Sequence, residues 1–449
     1  MSPTRREFMK WTTLTVLGGT TIALAGCGDS AAPNDQEPAG SKPGELFQIG
    51  LYSWNEIVDL PRQVNELGLT HYRIGGVMSD RVMTFCAENN IDVLLNFTPE
   101  VGRASAASDA AFIAAYLKQI DRTMDRFGPG GSFWTQNPTL PSHPIQTVEI
   151  CNEPNFGYGF VGTKQQVADL YAQVLFASYD HIKSRWPTVT VVGFAAGGAS
   201  AAAPGFLELT LAKLQSANRL DSFDVVAVHI YSDNVPPEQL VKETWGTWVA
   251  GESLEECVEV LLKFGVHKPI WVTEAGYQIS QAQGGKFPPD RAAAHGNGTV
   301  TLEQQAAYTV RLNMAAIRAG MARMYHMFMV DTDNYNGGWF DSSPQHGARP
   351  VAIAMRHLNE SIGQATSMEI ILDGRSDSPP GPFAYKFHTP DTVVTVAWSQ
   401  IPQELKLPLS GGQQTVVTDM YGKAIATVNG DSYETRLTPN PLLLTTKTT

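Results

Sequence analysis

The chain has 449 residues and a formal net charge of −12, with 17% of its residues charged. An acidic balance of this size disfavours nucleic acid and anionic membrane surfaces as non-specific partners, while leaving the fold undecided. Four cysteines spread over such a length argue against a disulfide framework, so the fold must rest on an apolar core.

The first residues read as an address rather than as structure. Thr4-Arg5-Arg6-Glu7-Phe8-Met9-Lys10 precedes an uncharged stretch from Trp11 to Gly26. Adjacent arginines ahead of a mild apolar run resemble a twin-arginine export signal; an ordinary secretory signal with two arginines in its basic region is the alternative. The stretch closes on Leu24-Ala25-Gly26-Cys27, which resembles a bacterial lipobox. Residues 1–26 are therefore expected to be a cleaved leader, with Cys27 carrying a lipid. A permanent membrane span competes with this, but the Thr- and Gly-rich run is short against the roughly 20 apolar residues a span needs. Residues 27–46, rich in Ala, Pro, Asp and Ser, read as a flexible tether. The expectation is a lipoprotein anchored on the periplasmic or extracellular side of a membrane. Cys86, Cys151 and Cys257 then remain, and are expected to be buried thiols.

From Phe47 onward, short β-rich runs alternate with helical stretches, the pattern of a parallel α/β fold. The predicted strands are Phe47–Trp54, His71–Val77, Asp92–Thr98, Val148–Asn152, Thr190–Ala196, Asp224–Tyr231, Pro269–Glu274 and Arg323–Val330. Between them lie helices such as Gln165–Trp186, with Val167, Leu170, Val174, Leu175 and Ile182 on one stripe. Leu302–Ala319 is another, opened by Thr301 with Gln304 three residues on and closed by Gly320. Eight strands and their helices over residues 47–365 fit a (β/α)8 TIM barrel. A doubly wound open sheet is the alternative, yet no G-x-G-x-x-G follows the first strand. After about Gln364 short strands separated by turn signals such as Asp373-Gly374 and Asn429-Gly430 predict a small C-terminal β-sandwich over 366–449.

In a barrel the C-terminal ends of the strands face the active site. The fourth strand runs into Asn152-Glu153-Pro154 and the seventh into Thr273-Glu274. Two carboxylates on opposite sides of the mouth suit retaining glycoside hydrolysis, in which one acid protonates the leaving oxygen and one carboxylate attacks the anomeric carbon. Such chemistry needs no metal and no cofactor. Asp331, Asp333 and Asp341 lack the ligand spacing of a calcium loop and read as sugar contacts or solvated turns. A metal-dependent barrel enzyme would gather ligands on several strand ends, where only His229 and His326 stand.

At these residues the sequence resembles clan GH-A of the glycoside hydrolases. The resemblance implies Glu153 as acid/base and Glu274 as nucleophile. It implies that Asn152 bonds the sugar 2-hydroxyl, and that Arg73 on strand two holds the nucleophile ionised. His229 and Tyr231 match the clan's histidine and aromatic positions near the acids. Phe127-Gly128-Pro129-Gly130-Gly131-Ser132-Phe133-Trp134, with Asn137-Pro138 and Pro144-Ile145, resembles bacterial family 39-type glycosidases, some of which act on exopolysaccharide. Lying before a strand, that stretch is expected to be structural. At strand eight, where many clan members carry tryptophan, this chain has His326 and Phe328.

Aromatic residues crowd the loops after the strands. Trp54 ends the first, Phe156, Tyr158 and Phe160 follow Glu153, Tyr277 follows Glu274, and Tyr335, Trp339 and Phe340 follow the eighth. Of these, Trp54, Phe156, Tyr158, Tyr277 and Trp339 are candidate sugar-binding platforms, loop anchoring being the alternative for each. The expected function is retaining hydrolysis of a β-linked oligo- or polysaccharide, with transglycosylation open. A glycan-binding surface lipoprotein without catalysis is the competing reading.

Overall fold

The computed structural model describes residues 46–198, 202–243, 246–286, 298–332, 335–410 and 413–448. The leader, Cys27 and the tether lie outside the described residues, as do Asp333 and residues 287–297 of the loop between Gln278 and Val300.

Eight parallel strands close into a barrel: β1 (Gln48–Ser53), β2 (His71–Ile74), β3 (Asp92–Phe97), β4 (Thr147–Ile150), β5 (Thr190–Gly197), β6 (Val225–His229), β7 (Ile270–Ala275) and β8 (Arg323–Met327). Each strand pairs with its sequence neighbours and β8 returns to β1, as expected for a (β/α)8 barrel. The strands are buried almost end to end, which explains why they read as continuous apolar runs and not as an alternation. Inside the barrel, away from the mouth, Leu94, Val192, Val225, Ala227, Trp271 and Tyr325 pack together. Cys86, Cys151 and Cys257 are all buried and unpaired.

Local chemistry sets the helix ends. Leu302–Arg318 opens on a capping box in which Thr301 and Gln304 satisfy each other's backbone N–H groups. Lys164–Arg185 opens on a second box, made by Thr163 and Gln166. The Phe127–Trp134 stretch forms the end of one helix and a short helix, Ser132–Gln136, ahead of β4. It therefore lies at the face opposite the site. An element not expected is a small hairpin, Val241–Glu243 with Gly246–Trp248, inside the connection from β6 to β7. Among the described residues no helix is long and apolar enough to cross a membrane.

The last barrel helix, Pro350–Ile362, leads into eight antiparallel strands: β9 (Ser367–Asp373), β10 (Phe383–His388), β11 (Thr392–Trp398), β12 (Gln403–Pro408), β13 (Gln414–Asp419), β14 (Ala424–Asn429), β15 (Ser432–Leu437) and β16 (Leu442–Lys447). Six form a sheet in the order β9-β10-β11-β16-β13-β14, and β12 pairs with β15. Leu407 and Leu437 from the small sheet bury against Ala384, Ala397, Val417 and Leu444 from the large one, making a sandwich.

A buried ion pair joins the sandwich to the barrel. Arg311 is fully buried on the helix before β8 and reaches Glu238, with its Nε 3.1 Å from Oε1. Glu238 Oε1 also accepts from Trp398 Nε1 of β11 at 2.9 Å, and Arg311 Nη1 donates to the Pro439 carbonyl at 3.3 Å. Removing one member of such a pair strands the other charge without a partner. Arg311→Met is expected to cost about 3–5 kcal/mol of stability, read as a fall in the denaturant midpoint of full-length protein. A loss below about 1 kcal/mol would show that the pair is dispensable.

Candidate active site

The site is built around one guanidinium. Arg73 on β2 has no exposed surface and is bound on three sides. Its Nε donates to Glu149 Oε2 at 2.8 Å, Nη1 to Glu274 Oε1 at 2.7 Å, and Nη2 to Asn152 Oδ1 at 2.7 Å. Its flat face lies 4.5 Å from the centre of the Tyr52 ring. Burial works against the charge, but Glu149 and Glu274 outweigh it, so the guanidinium is held more firmly protonated than usual.

Backbone irregularities aim the two glutamates. Val228 pairs with Val272, yet His229 pairs with Glu274, so Thr273 is an extra residue on β7. Such a bulge re-aims the side chains beyond it. Glu153 sits beyond β4 in the left-handed region, with φ 40°, and its N–H donates to the Ala195 carbonyl at 3.0 Å. The Glu153 side chain borders Gly197, where a Cβ would come within 2.5 Å of its Oε1. Asn155 fixes that strand end by bonding both the N–H and the carbonyl of Gly197.

The carboxylates differ in their company. Glu274 accepts from Arg73 and from the Tyr231 hydroxyl, the latter at 3.1 Å. Glu153 Oε1 lies 3.0 Å from His229 Nδ1, which is also 3.5 Å from Glu274 Oε2. One oxygen of each carboxylate and a ring nitrogen of His229 fall within 4.8 Å of one another. Spacing alone would suit a divalent cation, but the donor set does not. Glu274 is already taken by Arg73 and Tyr231, and the Arg73 charge stands where it would repel a metal.

The sequence candidates fall into three groups. Arg73, Asn152, Glu153, His229, Tyr231 and Glu274 converge on one centre, with Tyr231 two residues beyond the end of β6. Trp54, Phe156 and Tyr158 stand on the rim, 38%, 54% and 52% exposed. Tyr277 and Trp339 are not platforms. Tyr277 is 1% exposed and packs edge-on against Tyr308 of the Leu302–Arg318 helix, while Trp339 is 2% exposed and lies over His326. Both rings turn away from the mouth to anchor their loops, and Phe160 and Phe340 are likewise buried. Burial pushes His326 down to about 3, and it pairs with Asn313 behind the strand. Phe328 instead joins Tyr52 and Tyr335 near the mouth. Asp331 is neither solvated nor free for sugar; it is buried in an ion pair with Arg349. Asp341 accepts from the backbone of Ser343 and Gly347 in a turn.

Three site residues went unread in the sequence. Glu149, in the middle of β4, is fully buried on Arg73. Asn96 donates to Glu149 Oε2 and to the Cys151 carbonyl, both at 2.8 Å. Tyr52 lies against Arg73. A carboxylate inside an apolar strand and an asparagine at the end of its neighbour were the available signals.

No protein-family model matches the sequence, and no curated protein matches it. Solved structures do. A monomeric beta-xylosidase from Caulobacter crescentus CB15 is 14% identical with TM-score 0.57, over 90% of this chain and 96% of that one. A GH39 enzyme from Xanthomonas axonopodis pv. citri is 14% identical with TM-score 0.56, over 92% and 96%. A glucosidase from Croceicoccus marinus is 13% identical with TM-score 0.58, over 92% and 98%. The likeness spans barrel and sandwich together, and the fold is the one these glycosidases share.

His229 reports on the centre. Burial alone would lower its pKa, but Glu274 and Glu153 outweigh burial and the opposing Arg73, so the value is raised. Stability from the charged ring is therefore complete below the ordinary value of about 6.5 and is lost as pH climbs through the raised folded value. Glu274→Gln should move the His229 titration down, followed through the imidazole resonances by NMR. An unmoved titration would mean that Glu274 does not govern the ring.

Proposed function

We propose that the chain is a retaining O-glycosyl hydrolase of clan GH-A type, acting on β-linked oligo- or polysaccharide by double displacement. The observation that carries this reading is the pair of strand-end carboxylates with unlike surroundings: Glu274 under Arg73 and Tyr231, Glu153 beside His229. Their oxygens lie within 4.8 Å, closer to the roughly 5–5.5 Å carboxyl spacing of double displacement than to the 6.5–9.5 Å of direct water attack. Arg73 is placed to stabilise negative charge on Glu274 until it attacks.

In the first step Glu153 gives its proton to the glycosidic oxygen as that bond breaks, and a Glu274 oxygen bonds the anomeric carbon. In the second step Glu153, now a carboxylate, takes a proton from water, whose oxygen displaces Glu274 and restores both groups. Asn152, held through its carbonyl oxygen by Arg73, keeps its amide nitrogen for the sugar hydroxyl beside the reacting carbon. Names of similar structures, beta-xylosidase and glucosidase among them, support a carbohydrate substrate.

The test is full-length protein incubated with a panel of β-glycans and aryl β-glycosides in 18O water, with products read by mass spectrometry and NMR. The first product should keep the β configuration. Glu153→Gln is expected to lower kcat/KM about 10²–10⁴-fold on substrates with poor leaving groups. Added azide should trap the β-azide with Glu153→Ala and the α-azide with Glu274→Ala. An inverted first product would refute double displacement, and binding without cleavage across the panel would favour a glycan-binding lipoprotein.

We infer further that the protein is exported by the twin-arginine route and anchored through lipid on Cys27, the support being Arg5-Arg6 and Leu24-Ala25-Gly26-Cys27. Cys27→Ser should abolish incorporation of labelled fatty acid and release the protein from the membrane fraction. Retention of both label and membrane association would defeat the assignment.

A further inference from the structure

Among the described residues ten large apolar side chains are exposed, and six stand on the loops after β1 to β4: Trp54, Val77, Val101, Phe156, Tyr158 and Val161. Because β1 to β4 are consecutive neighbours in the barrel, these six make up one half of the rim. Isolated exposed apolar residues are ordinary, but a concentration beside a site points to a ligand.

The part of this half-rim next to Glu153 is held in place. A Cβ at Gly197 would meet Glu153 Oε1 at 2.5 Å and Phe156 Cε2 at 2.7 Å, so the acid and the ring are side by side. The same ring lies over Gly198, where a Cβ would come within 2.7 Å of its Cζ. Gly157 and Gly159, at φ 87° and 85°, bend the loop beyond it. Gly159 rests on Pro99, and its carbonyl accepts from Arg103 N at 2.8 Å. The loops after β3 and β4 are thus fastened together, with Val101, Phe156, Tyr158 and Val161 on the outside. Burial raises the Tyr158 hydroxyl above its ordinary value and the charges of Glu153 and Glu274 raise it further, which places that ring within their field. Nearby charges are neutralised: Arg103 is paired with Asp109, and Arg122 with Glu100.

This inference rests on the hydrolase reading. Glu153 then protonates the leaving oxygen, and whatever that oxygen carries lies outward from Glu153, over Phe156. We propose that Phe156 and Tyr158, backed by Val101 and Val161, form the leaving-group site, which takes an uncharged leaving group with an extended apolar face. An aromatic aglycone and the C–H face of a sugar ring share that chemistry.

The experiment compares leaving groups on one sugar. For full-length protein, Phe156→Ala, Tyr158→Ala and Tyr158→Phe, kcat/KM is measured on the β-glycosyl fluoride, the 4-methylumbelliferyl β-glycoside and the β-linked disaccharide of the sugar the parent cleaves. Fluoride is a single atom and does not reach the platform. The ratio of kcat/KM on a larger substrate to that on the fluoride should fall about tenfold in each alanine variant and stay close to the parent's in Tyr158→Phe. A fall for the umbelliferyl compound alone assigns an aglycone, and a fall for the disaccharide alone assigns a sugar ring. Using a ratio separates misfolding, which lowers all rates together, from loss of the platform. Unchanged ratios would overturn this inference and leave the hydrolase reading standing. Failure of the parent to cleave any fluoride in a panel of common sugars would overturn both.

Discussion

The constraint on which the site depends is that Arg73 must be buried. A guanidinium without exposed surface carries a large desolvation cost, and only well-placed opposite charge offsets it. Glu149 and Glu274 supply that charge from β4 and β7, while Asn152 takes the remaining donor direction. One side chain thereby ties together three strands of the barrel. The arrangement is reciprocal, since two carboxylates in the same dry interior are tolerable only because the cation stands between them. Asn96 extends the network by bonding Glu149 and the Cys151 carbonyl, just before the turn that delivers Glu153. The position of one glutamate is therefore linked to the charge balance of the other.

Backbone strain is concentrated where this network meets the mouth. Cys151, Glu153, Phe194 and Ala195 all have positive φ, at 66°, 40°, 77° and 41°. Each such non-glycine residue costs energy, of order 1–3 kcal/mol, that surrounding structure must offset. Here the offsets are specific. The Tyr116 hydroxyl accepts from Cys151 N at 2.9 Å, and the Tyr171 hydroxyl accepts from Phe194 N. Both tyrosines are buried on helices outside the barrel. The helical layer thus sets the turn conformations that carry Glu153.

This division of labour decides how much of the molecule is legible in its sequence. Strands β1 to β8 were legible because a doubly buried parallel strand must be apolar throughout, and β9 to β16 because turn residues punctuate them. Glu153 and Glu274 were legible because a polar residue ending such a strand stands out. The orientation of Tyr277 and Trp339 was not, since loop composition does not say whether an aromatic ring covers the core or faces water. Asp331 was misread for a related reason: its partner Arg349 is 18 residues away, and only the folded loop brings them together. Glu149 carries a signal of its own in the sequence, a carboxylate where an apolar strand has no room for one without a cation.

Under the proposed double displacement, the unequal surroundings of the two glutamates bear on how one centre would perform two tasks. Glu274 is bound by a permanent cation and by a hydroxyl, both of which donate to it whatever the proton balance of the site. Among the described residues Glu153 has His229 as its partner, an imidazole whose charge can change where a guanidinium's does not, and whose pKa, against burial, is raised by Glu274 and Glu153. When Glu153 gives up its proton, Glu274 has become an ester, so the negative charge has passed from one to the other, and His229 lies within reach of both, 3.0 Å from Glu153 and 3.5 Å from Glu274. When Glu153 regains the proton, the charge returns to Glu274, beside Arg73 and His229. The fixed charge of Arg73 therefore stands at the group proposed to attack, and the imidazole of His229 at the group whose protonation is proposed to change. A second arginine in place of His229 would hold Glu153 ionised and remove its capacity to act as an acid.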